Sequence, residues 1–80
     1  MSANLPELAK TLAKALVDSP EEVFVVTAGD SEYVKLELEV AEDDLGRVIG
    51  RSGRTARALR IILSAAAEKN GQRCALDIVE

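Results

Sequence analysis

Apolar residues recur at Leu5, Leu8, Ala9, Leu12 and Leu16, with Glu7, Lys10 and Lys14 on the other faces. This spacing predicts an amphipathic helix over about 5–17. Asp18-Ser19-Pro20 stops it, because a proline disfavours the α region for the residue before it. Glu22 to Ala28 is rich in β-branched and apolar residues and predicts a short strand, closed by the turn cluster Gly29-Asp30-Ser31. The cleanest alternation follows: Val34, Leu36, Leu38 and Val40 interleave with Tyr33, Lys35, Glu37 and Glu39. That is a strand with one dry face and one wet face, paired with the first as a hairpin.

Glu42-Asp43-Asp44 places negative charge at the start of a short helix through Leu45, Val48 and Ile49. Gly50 ends that helix, Gly53 opens the next, and the third helix runs from about Arg54 to Lys69, where Asn70-Gly71 terminates it. Arg73 to Val79 alternates again through Cys74, Leu76 and Ile78, giving a last strand. The order is αββααβ. The path from the second strand through two helices to the third is a crossover, expected to be right-handed with those strands parallel. The expected fold class is α+β: one domain over 1–80, with a three-stranded mixed sheet and helices packed on one face.

On the third helix, a 100° step puts Thr55, Ala56, Leu59, Ile62, Leu63 and Ala66 on one face, expected to be core. Ile61 falls on the opposite side with Arg57, Ser64, Ala65 and Glu68, and Ala58 flanks it. A narrow apolar strip of this kind suits a two-fold helix–helix contact, so these residues are the candidate dimer interface.

Composition adds limits. An apolar fraction of 48% suits a packed chain, but 80 residues lie near the lower end of what folds unaided. Only Phe24 and Tyr33 are aromatic, so Leu, Ile, Val and Ala must make the core. The lone Cys74 cannot form an internal disulfide, and with no histidine there is no zinc-finger spacing. No metal site and no cofactor is expected. The first residues lack the basic-then-apolar pattern of a signal peptide, and no apolar run approaches the ~20 residues of a membrane helix. The chain reads as soluble and cytoplasmic, without membrane insertion. An enzyme is hard to support: histidine is absent, Cys74 falls on the apolar side of a strand, and Glu42-Asp43-Asp44 looks like helix-start charge.

Charge changes the picture most. The net charge is −4, yet Leu45 to Ala67 holds Arg47, Arg51, Arg54, Arg57 and Arg60 and no acid. The remaining five basic residues stand against all 14 acids, leaving −9 outside this +5 segment. Such a local field attracts a polyanion on one side and repels it elsewhere. Within the segment, Gly50-Arg51-Ser52-Gly53 joins two helices. The glycines let a ligand backbone approach, and the first N–H groups of the next helix can point at an anion. Arg51 and Arg54 are the best phosphate candidates, with Arg47 and Arg57 next. Arg60 reads as a solvated or paired surface residue, Ser52 as a cap or phosphate contact, and Gly46 as a packing residue. Val48, Ile49 and Leu59 would form an apolar wall for bases. On spacing alone, a ligand-free helix–helix turn explains the loop as well; the acid-free arginine context favours a ligand.

The segment V-I-G-R-S-G-R resembles the I-G-x-x-G core of KH domains, whose loop clamps about four nucleotides of single-stranded backbone. The αββααβ order resembles the type II arrangement. The A-L-V-D-S-P-E-E-V stretch, the E-D-D-L-G-R-V-I-G lead-in and the A-L-R-I-I-L-S-A-A-A helix are together similar to the stand-alone bacterial KhpA family. The resemblance implies binding of single-stranded RNA through Arg47, Val48, Ile49, Gly50, Arg51, Ser52, Gly53, Arg54 and Arg57. It also implies a homodimer, a heterodimer with a KhpB (Jag)-type partner, and a role as RNA chaperone or post-transcriptional regulator linked to cell shape. The alternative is a protein-interaction adaptor that dimerises through the third helix, with RNA binding secondary.

Overall fold

A computed structural model describes residues 3–80. Helix α1 spans Leu5–Leu16. The Asn4 side chain accepts a hydrogen bond from the Glu7 N–H at 3.1 Å, capping one of the N–H groups that a helix start leaves unpaired. Its buried stripe is Leu5, Ala9 and Ala13, whereas Leu8 and Leu12 are half-buried and Leu16 is exposed. The leucine spacing therefore marks the flanks of the contact. Small alanines at its centre let the helix lie close to the sheet and to the third helix.

The first strand starts later than the sequence suggested. Pro20–Glu22 forms a single 3-10 turn, with the Val23 N–H donating to the Pro20 carbonyl at 3.2 Å, so β1 runs Phe24–Gly29. It pairs antiparallel with β2, Tyr33–Glu39. Gly29 closes the hairpin at φ +86°, where an added Cβ would collide with the Tyr33 carbonyl. The Asp30 carboxylate accepts from the Glu32 and Tyr33 N–H groups at 2.9 and 2.8 Å, and these two donors hold its carboxyl below the usual carboxylate range.

β2 is the central strand: Val34, Leu36 and Leu38 are buried and its alternate residues are exposed. After helix α2, Leu45–Ile49, and helix α3, Arg54–Lys69, the chain enters β3, Arg73–Ile78, parallel to β2 in register from Tyr33↔Arg73 to Leu38↔Ile78. The result is the expected α+β layer pair in the order αββααβ, with sheet order β1-β2-β3. Leu36, Leu38, Leu63 and Val48 are its most deeply buried large side chains. On α3 the buried stripe is Ala56, Leu59, Leu63 and Ala67. Ile62, expected in the core, is 43% exposed, because the four-residue step from Leu63 to Ala67 leaves it beside the contact. Thr55 and Ala66 are half-buried at the margins. Among the described residues no helix is long and apolar enough to cross a membrane.

Candidate nucleic-acid interface

The loop between α2 and α3 is built by backbone geometry that side chains resist. Gly50 sits at φ +76°, ψ 171°, and its N–H donates to the Gly46 carbonyl at 2.9 Å, closing α2. A Cβ at Gly50 would stand 2.8 Å from both the Thr55 Cβ and its backbone nitrogen, so the position excludes side chains on two counts. Arg51–Gly53 then makes one 3-10 turn, with the Gly53 N–H donating to the Gly50 carbonyl at 3.2 Å. Gly53 lies at φ +73°, with open space where its Cβ would be. Ser52, between them, is a left-handed non-glycine residue at φ 57°, a conformation that costs roughly 1 kcal/mol or more.

Three positive-φ residues within four positions fold the corner back over the start of α3. Gly53 is the residue that caps this helix, and it has no side chain to do so. Ser52 does not cap either, contrary to one of its two expected roles. The Arg54 N–H donates to the Arg51 carbonyl of the turn, and the N–H groups just after it have no side-chain cap.

The five arginines divide into committed and uncommitted groups. Arg47 is committed: its Nη2 lies 2.8 Å from Asp18 Oδ2 and its Nε 3.4 Å from Asp44 Oδ1. Asp44 is only 2% exposed, and its carboxylate also accepts from the Asp18 and Ser19 N–H groups, each at 3.1 Å. This cluster ties the chain after α1 to the start of α2 and so fixes the helix that presents the loop. Arg60 is committed through Nε, which donates to the Leu76 carbonyl of β3 at 3.0 Å. Arg51, Arg54 and Arg57 are exposed and make no ion pair among the described residues. The uncommitted charge is therefore the loop arginine and two on the first turn of α3.

Asp44 stands at the start of α2, where helix-start charge was expected, but sequence reasoning missed its second part as the buried acceptor for Arg47 and for the Asp18 and Ser19 N–H groups. The visible signal was its i,i+3 spacing to Arg47; the reach to Asp18, 26 residues away, lay outside any local pattern. Two apolar expectations also change. Val48 is fully buried and Leu59 is 5% exposed, so both side chains belong to the core and neither is presented to a base. Val48 anchors α2, and only Ile49, half-buried, is left at the surface from that set. Gly46 is exposed with nothing near the place of a Cβ, so close packing does not explain it. Phe24 and Tyr33 stand in strands β1 and β2, away from the loop.

On the far side of α3, Ile61 is 62% exposed. Arg57, Ser64, Ala65 and Glu68 line one shallow depression with it, as their helical spacing predicts. Cys74 is half-buried, and that burial pushes its thiol up from the usual range, away from the thiolate a nucleophile needs. Among the described residues no three Cys, Asp or Glu side chains come together as a metal site.

Comparison with known proteins locates the chain among relatives. The family described as KhpA/KhpB, KH domain, matches residues 6–78. A protein named RNA-binding protein KhpA from Clostridium acetobutylicum is 43% identical over 75 residues, covering 94% of this chain and all of the relative. The protein of the same name from Halalkalibacterium halodurans is 47% identical over 73 residues, 91% of this chain and 96% of its own. That from Treponema pallidum is 47% identical over 74 residues, 92% of each.

Proposed function

The chain belongs to the KhpA/KhpB KH-domain family, and from that premise we propose that it binds single-stranded RNA, with Gly50–Gly53 and the start of α3 holding the sugar–phosphate backbone. The observation that carries this reading is the coincidence at one corner of positive-φ backbone, uncapped helix N–H groups and three uncommitted arginines. Phosphate oxygens accept from the uncapped N–H groups of the first turn of α3 that follow Arg54 and from the Arg51 and Arg54 guanidinium groups. Arg57, three residues further along the first turn of α3, meets the next phosphate. Ser52, exposed at the tip, offers its hydroxyl. Arg47 takes a different part from the other three: it stiffens the platform through Asp18 and Asp44.

Base contact is slight in this arrangement. Ile49 is the one apolar side chain of the expected wall with exposed surface, and neither aromatic residue is at hand for stacking. Binding is thus backbone-led, with little sequence preference, and is sensitive to salt. Such a module suits an RNA chaperone or post-transcriptional regulator better than a site-specific factor. The test is an NMR titration with oligouridine at low ionic strength. The largest amide shifts are expected at Gly50–Thr55; shifts confined to the sheet would refute the reading.

The face around Ile61 favours a second role alongside the first, as a dimerising adaptor. Two copies of α3 packed antiparallel about Ile61, Ser64 and Ala65 would set Arg57 of one against Glu68 of the other, opposite charges at both ends of the contact. The same face suits a KhpB-type partner, a pairing in keeping with the joint family description. Two linked loops would raise apparent RNA affinity without any new contact.

A further inference from the structure

β1 is an edge strand, paired only with β2. The phase of that pairing is fixed by the Asp30 N–H donating to the Tyr33 carbonyl at 3.0 Å. Hydrogen-bonded pairs then fall at every second register position: Ala28 with Lys35, Val26 with Glu37 and Phe24 with Glu39. The backbone N–H and C=O groups of Val25, Thr27 and Gly29 consequently point away from the sheet. Outside the ladder, no backbone hydrogen bond engages them among the described residues.

Edges of this kind are usually blunted by lysine, proline, a bulge or an inward charge. The segment Phe24–Gly29 carries no charged residue and no proline. Its two large open-face side chains, Phe24 and Val26, are 56% and 59% exposed. An unpaired ladder beside two exposed apolar side chains is a template for an added strand.

Charge decides what that strand is. Exposed Glu21 and Glu22 stand just before the edge, exposed Asp30 and Glu32 just after it, and Glu37 and Glu39 lie opposite Val26 and Phe24. Lys35, over the Tyr33 ring at 5.7 Å, is the one cation in β1 and β2 among the described residues. A second copy pairing antiparallel would bring Glu21 and Glu22 against Asp30 and Glu32; pairing parallel would set each acidic end against itself. Like charges oppose both. Nucleic acid is opposed for the same reason.

We propose that the β1 edge docks an extended segment of another protein, apolar at alternate positions and bearing lysine or arginine at both ends. The site lies at the opposite margin of the sheet from β3, over which α3 packs, so it operates independently of the RNA loop.

The test uses the full chain and two synthetic peptides of about nine residues, each with alternating valine and threonine in the middle and either two lysines or two glutamates at each end. NMR titration at low salt should show the lysine peptide shifting and protecting the Val25, Thr27 and Gly29 amides, with the glutamate peptide at least about fivefold weaker. Thr27→Pro removes one outward donor at an edge position that tolerates proline, and should weaken the lysine peptide by about tenfold with β2 and α3 amides in place. Val26→Lys, which leaves the backbone intact, should weaken it as well. Shifts mapping to α2–α3, equal binding of the two peptides, an unaltered affinity in Val26→Lys, or β1 shifts that grow with protein concentration alone would each overturn the proposal.

Discussion

At the residue scale, the two loop glycines are not equivalent. Both have positive φ, but only at Gly50 would a Cβ meet Thr55. Gly53→Ala should cost about 1 kcal/mol, the ordinary penalty of a left-handed alanine, and Gly50→Ala at least about 1 kcal/mol more. Urea unfolding of the two variants checks the order; equal costs would mean that Thr55 yields freely. Asp44 carries a larger share of the platform than its surface neighbours. Asp44→Ala leaves the Asp18 and Ser19 N–H groups without their acceptor and Arg47 with Asp18 alone, an expected loss of about 2 kcal/mol by the same measurement. Arg47→Ala, by contrast, should change RNA affinity by less than about threefold, whereas Arg51→Ala and Arg54→Ala should each cost about tenfold. Anisotropy titrations against one oligonucleotide separate these values, and an Arg47 effect as large as that of Arg51 would return Arg47 to the phosphate-binding set.

At the scale of elements, most of this fold is legible in the chain. The alternation over Tyr33–Glu39, the turn chemistry of Gly29-Asp30 and the stop at Asn70-Gly71 each follow from local patterns, and β2, the hairpin and α3 lie where those patterns put them. What was illegible depends on packing between distant segments. Whether Leu16 or Ala13 of α1 faces the core, and whether Ile62 or Ala67 of α3 does, turns on a few tens of degrees of rotation that tertiary contact sets. At the candidate site, the loop itself could be read from its glycines. The commitments of Arg47 and Arg60 could not, because their partners Asp18 and Leu76 are remote in sequence. The α3 face makes its own prediction. Ile61→Asp puts a charge at the middle of the proposed contact and should reduce the mass seen by light scattering from a dimer to the 8.6 kDa monomer. An unchanged dimer, or a parent that is already monomeric, contradicts that role.

For the whole molecule, the arrangement of charge is the organising fact. The +5 segment is gathered on α2, the loop and most of α3, while the acids lie outside it: on the sheet and hairpin, around Pro20, in Glu42-Asp43-Asp44 before α2, and as Glu7 on α1, Glu68 near the end of α3 and Glu80 after β3. On the proposed reading such a distribution steers a polyanion to the side that carries the loop and the start of α3. Few bases are touched on that reading, so affinity comes from phosphates and falls with salt. The most direct measurement is anisotropy of a labelled single-stranded RNA titrated with the parent chain and with the Arg51→Asp, Ser52→Asp double variant over a range of salt. The parent should bind at low ionic strength, with log K falling by about 0.7 per decade of salt for each phosphate neutralised. The double variant should bind at least tenfold more weakly (roughly 1.4 kcal/mol) with its fold intact. A folded double variant that holds the RNA as tightly as the parent, with the same salt slope, would contradict the account.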